Sequence, residues 1–246
     1  MAFSFKNHPF GVEAFFESSL VLTYALPKER VAALIPACLT PDTFGDRWAF
    51  LAVALVQTRN LRPKGFPAWL GHDFGLAGYR LFVRYTDERG KRLRGLFILK
   101  SQTDQRKMEW LGNVFTGYRY DTVDMAFCRT GDALSVRSRE GALDVEVATG
   151  APETSLPAGS PFGNWREARR FAGPLPFTFS YQPATREVLI VEGVRQHWVP
   201  GPVQVRKSNV GFVGGGPFEG ATLASAFLVE NIPYSWKRGK REKWQG

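Results

Sequence analysis

Residues 95–124, GLFILKSQTDQRKMEWLGNVFTGYRYDTVD, constrain the fold of this chain more than any other stretch. Residues 95–100 form an apolar run bounded by a glycine and a polar turn, which reads as a short buried strand. Residues 103–115 then carry Met108, Leu111 and Phe115 at spacings of three and four, so these side chains share one helix face. Thr103 suits the N-cap, and Asp104 in the first turn faces the positive end of the helix dipole. Gly117 is placed to end the helix, since glycine adopts the left-handed cap conformation without a Cβ clash. A new apolar–polar alternation starts after Tyr118-Arg119-Tyr120-Asp121. The unit is strand, one short helix, polar elbow, strand.

Most of the remaining chain has strand character. Residues 15–25 are rich in aromatic and β-branched side chains. Residues 48–58, WAFLAVALVQT, are almost continuously apolar, as expected of a strand covered on both faces. Residues 78–86 put Tyr79, Leu81, Val83 and Tyr85 on one face and Arg80, Phe82 and Arg84 on the other. A hairpin about Gly131-Asp132 and strands over 143–148, 177–183 and 203–213 follow. Residues 187–200 read as two strands about Gly193, with Arg195 and His197 sharing a face. Residues 221–232 suit a final strand or a short helix. Pro27 can open a helix over 27–35, and residues 165–171 can form two helical turns closed by Pro174 and Pro176. Residues 59–77 read as a long glycine- and proline-containing loop, a candidate pocket wall, and residues 149–161 as a Gly/Pro/Ser-rich connection. Residues 237–246 form a basic tail expected to be mobile. Strand density by itself points to a β-rich barrel or sandwich.

Particular motifs carry a resemblance. The FxGYx elbow at Phe115, Gly117 and Tyr118 is similar to the FGYPKK elbow of acetoacetate decarboxylases, in which one lysine forms a Schiff base with the keto acid. Arg119 stands at the proline position, and Tyr120 and Asp121 stand at the two lysine positions. Asp42, Thr43, Phe44, Trp48, Arg62, Pro63, Gly65 and Pro67 match in order the DTFxGxxW and RPxGxP motifs of DUF2071 (YqjF-like) proteins, relatives of those enzymes. Arg80 matches the arginine of their NVRTYVR strand, and Pro233-Tyr234-Ser235-Trp236 falls near their HYSxxxxVxxW closing segment. The chain therefore resembles the DUF2071 family of the acetoacetate decarboxylase-like superfamily. That resemblance implies one α+β domain over residues 1–246, a mainly antiparallel β barrel or cone with two or three short helices. It also implies a binding site inside the cone.

Composition narrows the chemistry. The net charge of +9 attracts anions, yet no recognition helix, zinc-finger spacing or RNA-binding aromatic signature accompanies it, so no specific nucleic-acid partner is expected. Cys38 and Cys128 have no redox or metal spacing and read as buried reduced thiols. The three histidines lack HExxH or paired-cysteine context, so no metal and no cofactor are implied. No run approaches the ~20 apolar residues of a membrane helix and the N-terminus lacks a signal-peptide pattern, so a soluble cytoplasmic protein without a membrane partner is expected. An exposed strand edge or the apolar C-terminal segment could form a homo-oligomer.

These residues lead to a small anionic organic ligand, a carboxylate or keto acid, bound in the cone, with turnover as a further option, without the usual lysine. Arg80 would supply the anion contact, Tyr118 and Tyr120 the polar handles, and Trp48 and Phe97 the apolar wall, with Arg195 a further ligand-binding residue. An outward, solvated Arg80 is the alternative. A lyase using a displaced lysine would need Lys100, the nearby lysine at a strand end, and His197 is the histidine best placed to face a ligand. A non-catalytic interaction module acting through the basic face is the third reading.

Overall fold

The computed structural model describes residues 6–150, 156–173 and 175–246. The expectations for residues 1–5, residues 151–155 and Pro174 lie outside them. In chain order the strands are β1 (Val12–Pro27), β2 (Thr40–Pro41), β3 (Trp48–Pro63), β4 (His72–Thr86), β5 (Arg92–Thr103), β6 (Tyr120–Thr122), β7 (Ala126–Thr130) and β8 (Ala133–Ser138). They continue with β9 (Leu143–Ala148), β10 (Phe177–Gln182), β11 (Glu187–Arg195), β12 (Gly201–Pro202), β13 (Gln204–Val210), β14 (Thr222–Trp236) and β15 (Lys240–Lys243). The α-helices among the described residues are α1 (Lys28–Ala32), α2 (Arg106–Phe115) and α3 (Trp165–Ala172).

The large sheet runs β14-β1-β3-β4-β5-β10-β11 and curves until β11 meets β14 again. That last contact is short, Gly193 to Arg195 against Trp236 to Tyr234, so the ring is nearly closed. Pairing is antiparallel except where β5 meets β10 and β6. This is the mainly antiparallel cone with three short helices that the resemblance implied.

Strand alternation decides what fills each side. Leu51, Val53 and Leu55 of β3 join Tyr79, Leu81 and Val83 of β4 in one buried cluster on the outer face. A second antiparallel sheet, β13-β9-β8-β7, covers that face with Leu134, Val136, Val145 and Val147. Each such fully buried Leu or Val contributes about 1.5–3 kcal/mol. The inner face carries Ala52, Ala54, Val56 and Phe82, over which α2 and α3 lay Met108, Trp165 and Ala168. As its unbroken apolar run implied, β3 is buried on both sides.

Several local expectations need correction. The segment read as a loop over 59–77 is mostly strand, because β3 continues to Pro63 and β4 begins at His72. Two of its glycines lie where another side chain approaches the backbone: a Cβ on Gly71 would meet Asn60 Oδ1 at 1.8 Å, and one on Gly75 the Phe127 ring at 2.8 Å, whereas Gly65 is left-handed in the turn between the strands. Helix α2 starts at Arg106, since β5 continues to Thr103 and Asp104 accepts a 2.8 Å hydrogen bond from the Gly75 amide. Gly117 does not adopt the left-handed conformation; Arg119 does, with φ 53°. Cys128 is exposed. The basic tail is not free: β15 pairs with β11, and its acidic residue Glu242 is buried, accepting from the Tyr85 hydroxyl and the Glu88 amide at 3.1 Å each.

Candidate functional site

Inside the cone lies a cavity of about 340 Å³. Arg80 of β4 and Arg195 of β11 enter it from opposite sides of the ring. Arg80 lies back along its strand over Gly78, where a Cβ would stand 2.8 Å from the guanidinium. Only a residue without a side chain leaves Arg80 that path. Tyr118, Tyr120, Trp198 and Tyr234 add further polar groups to the lining.

The elbow after α2 is held by the helix itself. The Asn113 side chain accepts from the Tyr120 amide and donates to the Tyr120 carbonyl, both at 2.9 Å. Glu109 accepts from the amide and hydroxyl of Thr122. With Arg119 left-handed, Tyr120 turns into the cavity, and Asp121 turns outward to an ion pair with Lys100 at 3.0 Å. Of the two positions at which the resemblance expects a lysine, one therefore places a phenol in the cavity and the other a carboxylate outside it.

Electrostatically the site is unbalanced. Arg80 Nε, Arg195 Nη2 and Trp198 Nε1 are buried donors without a hydrogen-bond partner, and the Tyr118 hydroxyl is likewise unpartnered. Neither arginine forms an ion pair with a described residue. The Arg195 guanidinium rests 4.7 Å from the Trp198 ring and 5.7 Å from the Tyr234 ring. Burial holds Arg195 below its ordinary pKa, Tyr234 opposes that shift, and the charge of Arg80 adds to it. Because an arginine stays protonated, this direction describes a site that disfavours its own charge. Burial pushes the Tyr120 hydroxyl up to about 12, with Arg80 pulling against it. Tyr118 is raised further by burial and then by Tyr120, against the same Arg80 charge. Both phenols remain protonated near neutral pH and can donate hydrogen bonds.

The other expected site residues lie elsewhere. Phe97 is the cross-strand partner of Leu81 and packs on the outer cluster, while its neighbours Leu96 and Ile98 face the cavity. Trp48 sits at the start of β3 beneath the Arg47 guanidinium, 4.7 Å away, and does not line the cavity. Lys100 is turned away, and the lining contains no lysine among the described residues. His197 is exposed: β11 ends at Arg195, and the left-handed backbone at His197, φ 54°, breaks the alternation that would have aligned it with Arg195. Trp198 takes the inward place instead. Tyr234 and Trp236, named above only as part of the closing motif, also line the cavity, as their spacing on one face of β14 allows. Among the described residues no group of three or more His, Cys, Asp or Glu is arranged to hold a metal ion. No helix among them is long and apolar enough to cross a membrane.

A nearly closed cone of this topology, with a helix and elbow against its inner face, defines the acetoacetate decarboxylase-like fold. Acetoacetate decarboxylase from Legionella pneumophila subsp. pneumophila str. Philadelphia 1 superposes with a TM-score of 0.62 at 11% identity, over 95% of this chain and 88% of that one. An acetoacetate decarboxylase-like enzyme from Sphingomonas wittichii RW1 gives 0.56 at 13% identity, over 95% and 92%. The enduracididine biosynthesis enzyme MppR, complexed with pyruvate, gives 0.52 at 12% identity, over 95% and 88%. Within that fold the chain belongs to the DUF2071 family of uncharacterized conserved proteins, matched by residues 14–210. No curated protein matches the sequence.

Proposed function

We propose that this protein binds a small organic carboxylate, keto acids included, with Arg80 and Arg195 gripping the anion inside the cone. The observation that carries this reading is the pair of half-buried guanidiniums, each with one fully buried, unpartnered N–H and neither ion-paired with a carboxylate among the described residues. A buried charge without a counter-ion is costly. A carboxylate between the two would supply the acceptors, and charge-assisted hydrogen bonds of this kind are worth about 1.5–3 kcal/mol each. Tyr118 and Tyr120 add neutral donors beside it. The pyruvate bound by MppR is consistent with an organic acid in a cone of this fold. A carbonyl held beside the carboxylate would meet the same donors, which suits stabilisation of an enolate rather than an imine. The displaced-lysine reading has no geometric support, since Lys100 lies outside the cavity and is ion-paired.

A thermal-shift screen at low salt against small carboxylates, keto acids and phosphates tests the proposal. A ligand at a hundredfold its dissociation constant adds about 2.7 kcal/mol. For a chain of this size that raises the melting midpoint by roughly 5–10 °C. The expected result is a carboxylate response that disappears in Arg80→Gln. Silence across the panel, or a response unchanged in the variant, overturns the proposal.

A further inference from the structure

The cavity is cleared of bulk along one direction. On β3 the inward Ala52 and Ala54 alternate with the outward Leu51, Val53 and Leu55. Ala52 is the cross-strand partner of Arg80, and Ala54 is the partner of Gly78. On the other side of β3, Val21 of β1 pairs with Ala54 and Ser19 pairs with Val56. Beside the arginines, then, Ser19, Ala52, Ala54 and Gly78 keep three adjacent strands small on the inward side, whereas Leu76 and Phe74 of β4, the partners of Val56 and Thr58, form an apolar wall further along. The inward row continues through Val56 to Thr58, and six residues of strand span about 20 Å. Its far end passes to the part-exposed Phe10, Leu61 and His72. Arg62, the remaining arginine of the lining, is already ion-paired with Glu13 at 2.7 Å. The cavity thus has one charged end, an apolar channel, and no second free charge among the described residues.

We infer that the ligand is a monocarboxylate carrying a medium-length apolar tail, its head at Arg80 and Arg195 and its tail along Ala52, Ala54 and Val56. The inference rests on the anion reading above and goes further by fixing the class of acid. A cavity of about 340 Å³ lies within the range of sites for ligands well above three or four carbons. A short acid would leave the channel's apolar surface uncovered, whereas each methylene added to the tail gains burial.

Calorimetric titration of the whole protein with acetate, butanoate, hexanoate and octanoate at low salt reads this directly. Affinity should rise roughly threefold to fourfold for each methylene buried, the factor that methylene transfer implies. Val56→Phe, which adds bulk to the channel opposite Leu76 and away from the Arg80 guanidinium over Gly78, should weaken octanoate by roughly tenfold and leave acetate unchanged. The wild-type series stands by itself if that variant does not fold. Equal affinity for acetate and octanoate, lost in Arg80→Gln, overturns the tail and leaves the anion reading standing. Chain-length dependence that survives Arg80→Gln overturns the anion reading and this inference with it. No binding at any length overturns both.

Discussion

Arg80 and Arg84 stand four residues apart on the same face of β4, and their surroundings differ in one respect. Arg84 and Arg94 share Asp42, a fully buried carboxylate 2.5 and 2.6 Å from their nitrogens. Arg94 also donates to the Phe171 carbonyl at 3.0 Å and lies 4.8 Å from the Phe171 ring, which ties α3 to the sheet. Arg80 and Arg195 have no such acid among the described residues, although they too are clustered and partly desolvated. Where a cationic pair holds the fold together, the chain supplies the anion. Where the pair opens onto the cavity, it does not. The contrast separates a structural charge cluster from the proposed binding site more clearly than burial or net charge could.

The largest effect expected from breaking this contrast falls on the closed cluster. Asp42→Asn should cost about 3 kcal/mol, the low end for removing one partner of a buried pair, because the two arginine side chains are 33% and 36% exposed. Scanning calorimetry should show the midpoint falling by roughly 6–12 °C. Arg80→Met at the open pair should do the opposite: the midpoint stays or rises, since an unpartnered buried charge is removed, while the response to carboxylates is lost. A fall comparable to that of Asp42→Asn would place Arg80 in the structural class. Gly78→Ala sharpens the comparison. Its Cβ would meet the Arg80 guanidinium at 2.8 Å, so acid affinity should drop roughly tenfold, about one hydrogen bond, with near-wild-type melting. The smallest effect belongs to the exposed pair Lys100–Asp121. Lys100→Gln should change stability by less than about 1 kcal/mol and leave acid binding intact. Borohydride with acetoacetate should add no mass to the wild type; an adduct at Lys100 would contradict the geometry.

Strand period explains what was legible before the structure. Alternation in β4 separated Tyr79, Leu81 and Val83 from Arg80 and Phe82, and those two sets occupy the outer core and the cavity. The unbroken apolar run of β3 announced burial on both sides. The same rule, applied to β5 in register with β4, assigns Phe97 to the outer face with Leu81, so that misplacement came from ignoring the pairing. His197 is different: one left-handed residue after β11 reverses which side chain turns inward, and nothing in RQHWV signals it. The tail became a strand through one acid, Glu242, whose partners Tyr85 and Glu88 lie more than 150 residues earlier. Arg80 and Arg195 each read as ligand-facing from the sequence, but that they meet across one cavity depends on the closure of the ring.

The most direct test is a calorimetric titration of pyruvate and octanoate into wild type, Arg195→Gln and Arg84→Gln. An open pair predicts that at least one acid binds the wild type, weakens roughly 10- to 100-fold in Arg195→Gln, and stays within about threefold in Arg84→Gln. No heat with either acid, or equal losses in the two variants, would contradict the distinction between the arginines that hold the fold and those that hold a ligand.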